Sequence, residues 1–192
     1  SETPECLFHA LEQSGNWCLR SGWDRNADYL HFKCGSLGGG HGHFDKLHVD
    51  LSIAGDDVLI DSGRYTYVDG SLRRQLKSSC AHNVPVVDWQ EYTQCTGSWD
   101  VKGRTAPAGQ DWSQKGPYTF LQGTHLGYLP AGVLVNRRLI SIGSRIHVIA
   151  DEFYGAGTHV CGQVFHLNPA GSVETGEGGF LYRGARAETA FY

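Results

Sequence analysis

The sequence contains no methionine at any of its 192 positions, including the first. Residues 1–4 are polar, so this end of the sequence carries no recognisable signal peptide. We therefore interpret the sequence as a fragment of a longer protein. The active site of such a protein is expected to be completed by residues that this sequence does not contain.

Three further absences narrow the functional classes. No apolar run approaches the roughly 18–20 residues that a membrane-spanning helix requires. The formal net charge is -4 and there is no basic run, which argues against a nucleic-acid partner. The six cysteines show no CxxC spacing, so a cysteine-type zinc site is not expected. We interpret them as mostly free thiols because a chain of this length buries a core without disulfides; disulfides in an exported protein are the alternative.

Helix signals are scarce and strand signals are abundant. Only residues 6–13 and 71–77 could form a helical turn or two, whereas 26 glycines punctuate the chain. Apolar residues alternate with polar ones at positions 47–53, and a turn signal at 54–57 precedes a second apolar run at 58–61, which predicts a hairpin. Further strands are predicted at 17–23, 29–34, 84–89, 119–127, 133–142, 145–151, 160–167 and 180–182.

These patterns predict an all-β fold, an antiparallel β-sandwich of many short strands. We expect one domain over residues 1–192, with a long surface loop at 97–117. Residues 143–144 lie between two strongly apolar runs and predict a compact hairpin turn.

The most informative stretch is the glycine-rich segment 38–45, which contains His41 and His43. Asp61 follows an apolar run, and His82 lies further along the chain. Histidine and aspartate are the ligand types that hold zinc, and a fourth position can go to water. Spacing alone does not decide whether these residues form a site, since a simple hairpin places Asp61 opposite Asp50 rather than His43. The alternative is that the histidines are polar loop residues and Asp61 caps a turn.

Three motifs together resemble the heparinase II/III-like family of polysaccharide lyases, which includes related alginate and oligoalginate lyases. They are HGHFD at 41–45, DSGRYTY at 61–67 and AHN at 81–83. The segments RRLI at 137–140 and FHLNP at 165–169 are similar to the β-sheet domain of that family. The resemblance covers about residues 16–169. It implies that this chain is the β-sheet part of a protein whose N-terminal domain is an (α/α) toroid.

The resemblance also implies a site. Zinc is expected to be held by His43, Asp61 and His82, as an organiser of three chain segments rather than a Lewis acid on the substrate. His41 corresponds to the family's active-site histidine. Tyr65 and Tyr67 of the DSGRYTY motif are predicted to line the catalytic cleft.

The implied reaction is β-elimination at a uronic acid, in which the proton at C5 is removed and the 4-linked sugar is expelled. That proton becomes acidic only when the neighbouring carboxylate is neutralised, and the reaction needs both a base and an acid. The expected substrate is an acidic polysaccharide or oligosaccharide, and the expected location is periplasmic or secreted. Because toroid residues are missing, the fragment alone is expected to be inactive; a homodimer is compatible with the sequence.

Further residues are assigned with an alternative beside each. Arg64, Arg73 and Arg74 are predicted to bind sugar carboxylates or sulfates, or else to be solvated surface charges. Asn83 either holds a sugar hydroxyl or braces the turn before Val84. Three groups complete the set: Asp45 and Asp50 as partners that orient a ligand histidine, His159 and His166 as structural residues, and Trp89, Trp99 and Trp112 as sugar-stacking or packing residues.

Two other functions compete with the lyase. One is a non-catalytic, zinc-stabilised β-domain that binds carbohydrate or is purely structural. The other is a metal-dependent hydrolase that uses an open zinc position.

Overall fold

The computed structural model describes residues 3–37, 41–97, 99–103 and 105–192. Every paired strand in these ranges is antiparallel, which confirms the all-β prediction. The strands are β1 Phe8–Leu11, β2 Asn16–Arg20, β3 Tyr29–Lys33, β4 His48–Ile53, β5 Asp56–Leu59, β6 Pro85–Val87, β7 Gln94–Cys95, β8 Val101–Lys102, β9 Pro107–Lys115, β10 Tyr118–His125, β11 Val133–Ile142, β12 Ile146–Gly155, β13 Cys161–Gln163, β14 Ser172–Gly176, β15 Gly179–Arg183 and β16 Glu188–Phe191. One α-helix, α1 at Ser71–Lys77, and short 3-10 turns at Glu12–Ser14, Ser79–Ala81 and Leu129–Ala131 complete the elements.

Two sheets enclose the main core. The first is a meander in the order β1-β2-β3-β4-β5, and the second has the order β12-β11-β10-β9. Alternating side chains point inward, as at the cross-strand pair Phe32 and Val49 in the first sheet and the pair Leu121 and Leu139 in the second. All four are essentially inaccessible and belong to one apolar cluster. The period-two pattern therefore reports a half-buried strand, as expected.

The predicted hairpins form with turns that match their sequences. Ala54 and Gly55 connect β4 to β5, and both have positive φ (52° and 77°), as a two-residue type I′ turn requires. Gly143, at φ 61°, begins the short connection between β11 and β12. The helix predicted at 71–77 is α1. The other weak helix signal, at 6–13, gives β1 followed by the 3-10 turn Glu12–Ser14.

The predicted surface loop at 97–117 is wrong for most of its length. Residues 98 and 104 lie outside the described ranges, but β8 and β9 fall within this segment. Strand β9 pairs with β10 over eight register positions and forms an edge of the second sheet. Its residues are exposed except for the first, so the sequence lacks the apolar alternation that normally reveals a strand.

Two other expectations concern cysteines and membranes. All six cysteines are free thiols in the structure, as predicted. No helix in the described residues is both long enough and apolar enough to cross a membrane.

Gly123 on β10 packs closely against Cys34 and Leu47 and gives a stability prediction. A Cβ at this position would lie 2.7 Å from Cys34 Cβ and 2.7 Å from Leu47 Cδ2. We expect Gly123→Ala to lower the free energy of unfolding by about 1–3 kcal/mol, because the packed core has no room for a methyl group. Gly109→Ala on neighbouring β9 is the matched control, since its Cβ would meet nothing closer than 3.8 Å. Urea unfolding checks the difference, and equal midpoints would contradict it.

Candidate metal centre and catalytic cleft

Three predicted ligands converge at one end of the first sheet. His43 follows the glycine-rich segment, Asp61 lies two residues beyond β5, and His82 follows the Ser79–Ala81 turn. One ligand atom from each lies within 4.8 Å of the others. His82 Nδ1 is 2.7 Å from Asp61 Oδ2, and the two imidazole rings are 5.2 Å apart between centroids.

The chain folds back to achieve this convergence. A Cβ on Gly42 would overlap the carbonyl oxygen of Leu37, so only glycine allows the backbone to double back immediately before His43. On the other side, the Ile60 amide donates to the carbonyl of His166 at 3.0 Å, which fixes the end of β5. The glycines at 38–40, which belong to the same motif, lie outside the described residues.

The protonation states and an orphaned nitrogen fit a metal. Burial, followed by the charge of His82, lowers the pKa of His43 to about 4. Burial raises the pKa of Asp61, but the hydrogen bond and charge of His82 outweigh it and hold that pKa at about 2. At neutral pH the set thus offers a neutral imidazole and a carboxylate, the forms that bind zinc. His82 is fully buried, and within the part of the chain that the structure describes its Nε2 has no hydrogen-bond partner.

Arg73 is the cation beside this centre. It lies on α1, is fully buried, and its Nη1 is 3.0 Å from His43 Nε2. Its Nε and Nη2 find no hydrogen-bond partner among the described residues. The alternative of a solvated surface charge therefore does not apply to Arg73. It does describe Arg74, which is exposed and pairs with Asp69 at 3.0 Å.

A chain of hydrogen bonds lies behind the ligands. Asp50 Oδ1 accepts from His48 Nε2 at 2.9 Å, and Asp50 Oδ2 lies 3.1 Å from His31 Nδ1. His48 Nε2 is also 3.6 Å from Asp61 Oδ2. The Asn83 amide donates to His48 Nδ1 at 2.9 Å, which assigns the remaining proton of His48 to Nε2. Asp50 thus acts on Asp61 through His48, whereas Asp45 pairs with Lys33 at 2.5 Å.

The side chain of Asn83 is built into the fold and is not exposed to the cleft, which favours the predicted bracing role over a contact with a sugar. Its side chain is fully buried and donates to the carbonyl oxygens of Val49 at 2.8 Å and Ile60 at 3.2 Å. Its Oδ1 accepts from the amide of His166 at 2.6 Å. Every polar atom of the side chain is engaged, so the alternative role, bracing the AHN segment against the sheet, is the one observed.

His41 lies beside the candidate metal centre and has an aromatic neighbour. Its Nδ1 is 3.0 Å from the Tyr67 hydroxyl oxygen, and the guanidinium of Arg64 lies 4.2 Å from the Tyr67 ring centroid. Tyr65 is 77% exposed and makes no hydrogen bond or ring contact with the described residues. The structure thus brings Tyr67 to His41 and leaves Tyr65 in solvent.

An open cleft joins these parts. It has a volume of about 310 Å³, and its wall includes His41, His43 and Asp61. His31 and Lys33 also line it, and no sequence motif pointed to either residue. The strand register could have indicated them, since His31 lies directly opposite Asp50 across β3 and β4 and Lys33 is two residues further on the same face.

The sequence motifs, the antiparallel sheets and the His–Asp–His set point to one class of domain, the C-terminal β-domain of the heparinase II/III-like family. The sequence profile described as "Heparinase II/III-like, C-terminal" matches residues 4–190. The chain belongs to this family.

Individual relatives agree with that assignment. A heparin-sulfate lyase of Pedobacter heparinus is 29% identical over 93 residues, which is 46% of this chain and 14% of that protein. The structure of a mutant heparan sulfate lyase HepC from Pedobacter heparinus superposes with a TM-score of 0.77 at 21% identity, covering 94% of this chain and 28% of that one. A heparinase III, the BT4657 gene product, gives a TM-score of 0.77 at 20% identity, covering 93% and 27%. This chain spans only about a quarter of the length of the solved structures.

Proposed function

We propose that this chain is the β-sheet part of a polysaccharide lyase that cleaves uronic-acid-containing glycans by β-elimination. The observation that supports this most strongly is the position of His41, hydrogen-bonded to Tyr67 and on the wall of the same cleft as His43 and Asp61. Family membership and the names of the relatives agree with it. Because such polymers are large, we also propose a periplasmic or secreted location.

The residues of the cleft suit the charge changes of the reaction. Removal of the C5 proton leaves electrons that form the C4–C5 double bond, and the C4–O4 bond breaks with its electron pair on O4, which takes a proton. His41 and Tyr67 are joined at 3.0 Å and can hold and pass a proton between imidazole and phenol. The Arg64 guanidinium stacks on Tyr67 and makes no hydrogen bond within the described residues, so its donors are available to a uronate carboxylate.

Zinc is proposed as the organiser of this cleft. His43, Asp61 and His82 would hold it, and it would cross-link the glycine-rich segment, the end of β5 and the AHN segment. His48 and Asp50 would support the ligands from behind, as partners of metal ligands commonly do. The proton transfers remain with His41, Tyr67 and the groups that the rest of the enzyme supplies.

The experiment that tests this function uses the full-length protein with uronate polymers. We expect turnover to generate the ultraviolet absorbance of an unsaturated uronate. His41→Ala is expected to lower kcat/KM by about 10²–10⁴-fold, because it removes a proton-transfer group. His9→Ala is the control, since among the described residues His9 hydrogen-bonds to the Cys6 carbonyl and contacts Trp23, and it touches neither His41 nor the predicted zinc ligands. Normal turnover by His41→Ala would contradict the assigned role.

The isolated chain is expected to lack turnover, because the partners of His41 in the proposed toroid are absent.

The second candidate function, a non-catalytic zinc-stabilised carbohydrate-binding domain, is favoured by how deeply His82 and Asn83 are built into the fold. Retained sugar affinity without turnover by the full-length protein would select it. Products without new ultraviolet absorbance would instead indicate a hydrolase.

A further inference from the structure

A third aromatic ring joins His41 and Tyr67, and it comes from a distant part of the chain. The Trp99 ring lies 5.2 Å from the His41 ring, with an interplanar angle of 77°, and 5.4 Å from the Tyr67 ring, with an angle of 25°. The Trp99 and Tyr67 rings are therefore stacked, and the His41 ring contacts both of them edge-on. The His41 ring lies 4.9 Å from the Tyr67 ring at an interplanar angle of 85°. Such offset and edge-on arrangements are favourable between aromatic rings.

Trp99 is not one of the residues that hold together the hairpin on which it lies. Trp99 lies at the tip of the small hairpin formed by β7 and β8, whose strands have two residues each. The hairpin is closed by the Thr96 amide donating to the Asp100 carbonyl at 3.0 Å, and Thr93, which is buried, ties its base to Gly103. Trp99 is therefore not part of the apolar core between the two sheets.

The indole of Trp99 is 49% exposed to solvent. Core packing is the usual role of tryptophan, and it does not describe this residue. An exposed aromatic surface that is held in place by an active-site histidine is typical of a ligand-binding wall. The contacts with His41 and Tyr67 hold the orientation of the ring, so little conformational entropy remains to be lost on binding.

The chemistry next to this ring indicates the ligand class. The apolar C–H face of a pyranose stacks on an aromatic ring, and the Arg64 guanidinium on Tyr67 provides donors for an acidic substituent of the same sugar. We propose that Trp99 is a sugar-stacking residue, which holds an acidic sugar ring beside His41. This inference rests on the proposed lyase function for the identity of the reaction, but the binding claim stands on the ring cluster itself.

The primary test measures affinity without turnover, in the full-length protein carrying Tyr67→Phe, which removes the proton-transferring hydroxyl and keeps both rings that contact Trp99. The probes are octasaccharides of heparan sulfate and of alginate, titrated by calorimetry. In this background, Trp99→Ala is expected to weaken the Kd of the tighter probe by about tenfold to a hundredfold, the range typical of one stacked ring. Trp99→Phe should restore most of the affinity. Unchanged affinity in Trp99→Ala overturns the proposal.

A matched control separates this site from general effects. Trp23→Ala removes another partly exposed tryptophan, 40% exposed, which also lies edge-on to a histidine, but to His9 rather than to His41. It should leave affinity unchanged. Trp99→Leu retains bulk without an aromatic face, and it provides a second variant if Trp99→Ala unfolds, as judged by its thermal midpoint. Affinity of Trp99→Leu equal to that of the parent would overturn the stacking role.

Kinetics in the otherwise unmodified protein distinguish the possible failures. Stacking predicts a raised KM with kcat nearly retained in Trp99→Ala. A lowered kcat with KM unchanged would make Trp99 a positioning residue for His41 and Tyr67, and would overturn the stacking proposal. If the unmodified protein shows no elimination at all, the lyase function fails, whereas the affinity measurement still decides the role of Trp99.

Discussion

Replacement of His82 by alanine is expected to eliminate stoichiometric zinc and to lower the thermal stability of the protein. His82 is fully buried and bonded to Asp61 at 2.7 Å, so its loss removes one of three converging ligands and one hydrogen bond of the Asp61 carboxylate. Loss of a supporting neighbour of a metal ligand typically costs 10–100-fold in affinity, so loss of a ligand should exceed about 10²-fold. Metal content after gel filtration and competition with a chelator measure this directly.

The control for this result must destabilise the fold without touching the site. His125→Ala provides it, because His125 is equally buried and packs against Tyr92 and Tyr128 instead. Its Nε2 likewise has no hydrogen-bond partner in the described ranges. We expect this variant to lose stability and retain zinc. A chelator should lower the melting temperature of the unmodified protein and of His125→Ala but not that of His82→Ala, since a metal bound only by the folded state stabilises it. Full zinc occupancy in His82→Ala would contradict the ligand assignment.

Local patterns predicted most of the first sheet and the β11–β12 hairpin. Strand β4 alternates buried and partly exposed residues through Val49, Leu51 and Ile53, and such a strand is fixed by which face is buried. Strand β9 escaped prediction because an exposed edge strand need not alternate. Its pairing is decided by the neighbouring β10, which no local sequence pattern reports.

The site divides in the same way. The His–Asp–His set was predictable from motifs, but its convergence depends on the fold-back at Gly42 and on the contact between Ile60 and His166, which are tertiary events. Likewise, the sequence position of Asn83 beside the predicted ligand His82 is equally compatible with a contact to a sugar hydroxyl and with bracing of the turn before Val84. Only the burial of Asn83 separates the two roles, because a side chain whose donors and acceptor are all used inside the fold is not open to a sugar.

The second large effect concerns the buried arginine that connects the two sheets. Arg137 on β11 is fully buried and forms a two-pronged pair with Asp151, at 2.7 and 2.6 Å. Its Nη1 donates to the carbonyl oxygens of Leu47 and Asn83, each at 2.7 Å. One side chain thus links the second sheet to the start of β4 and to the AHN segment that carries the proposed ligand His82.

We expect Arg137→Met to lower the free energy of unfolding by about 3–5 kcal/mol, because it leaves the buried Asp151 carboxylate without its countercharge. Two buried carbonyl groups also lose their donor. Urea unfolding with a fitted slope measures the change. The matched control is Arg138→Met on the same strand, where the side chain faces outward, 45% exposed, and pairs with Glu152 at 3.0 Å; that pair should contribute at most about 1 kcal/mol.

A further variant separates the contribution of the Arg137–Asp151 ion pair from that of the bridge, meaning the two hydrogen bonds that Arg137 donates to the carbonyls of Leu47 and Asn83. Arg137→Met combined with Asp151→Leu removes the uncompensated charge, so it should recover part of the lost stability. It cannot restore the donors to Leu47 and Asn83, and the AHN segment should stay loosened. We therefore expect zinc affinity to remain reduced in the double variant even where stability recovers. Equal effects of Arg137→Met and Arg138→Met would show that the buried pair does not support the fold, and unchanged zinc affinity would show that the bridge does not reach the site.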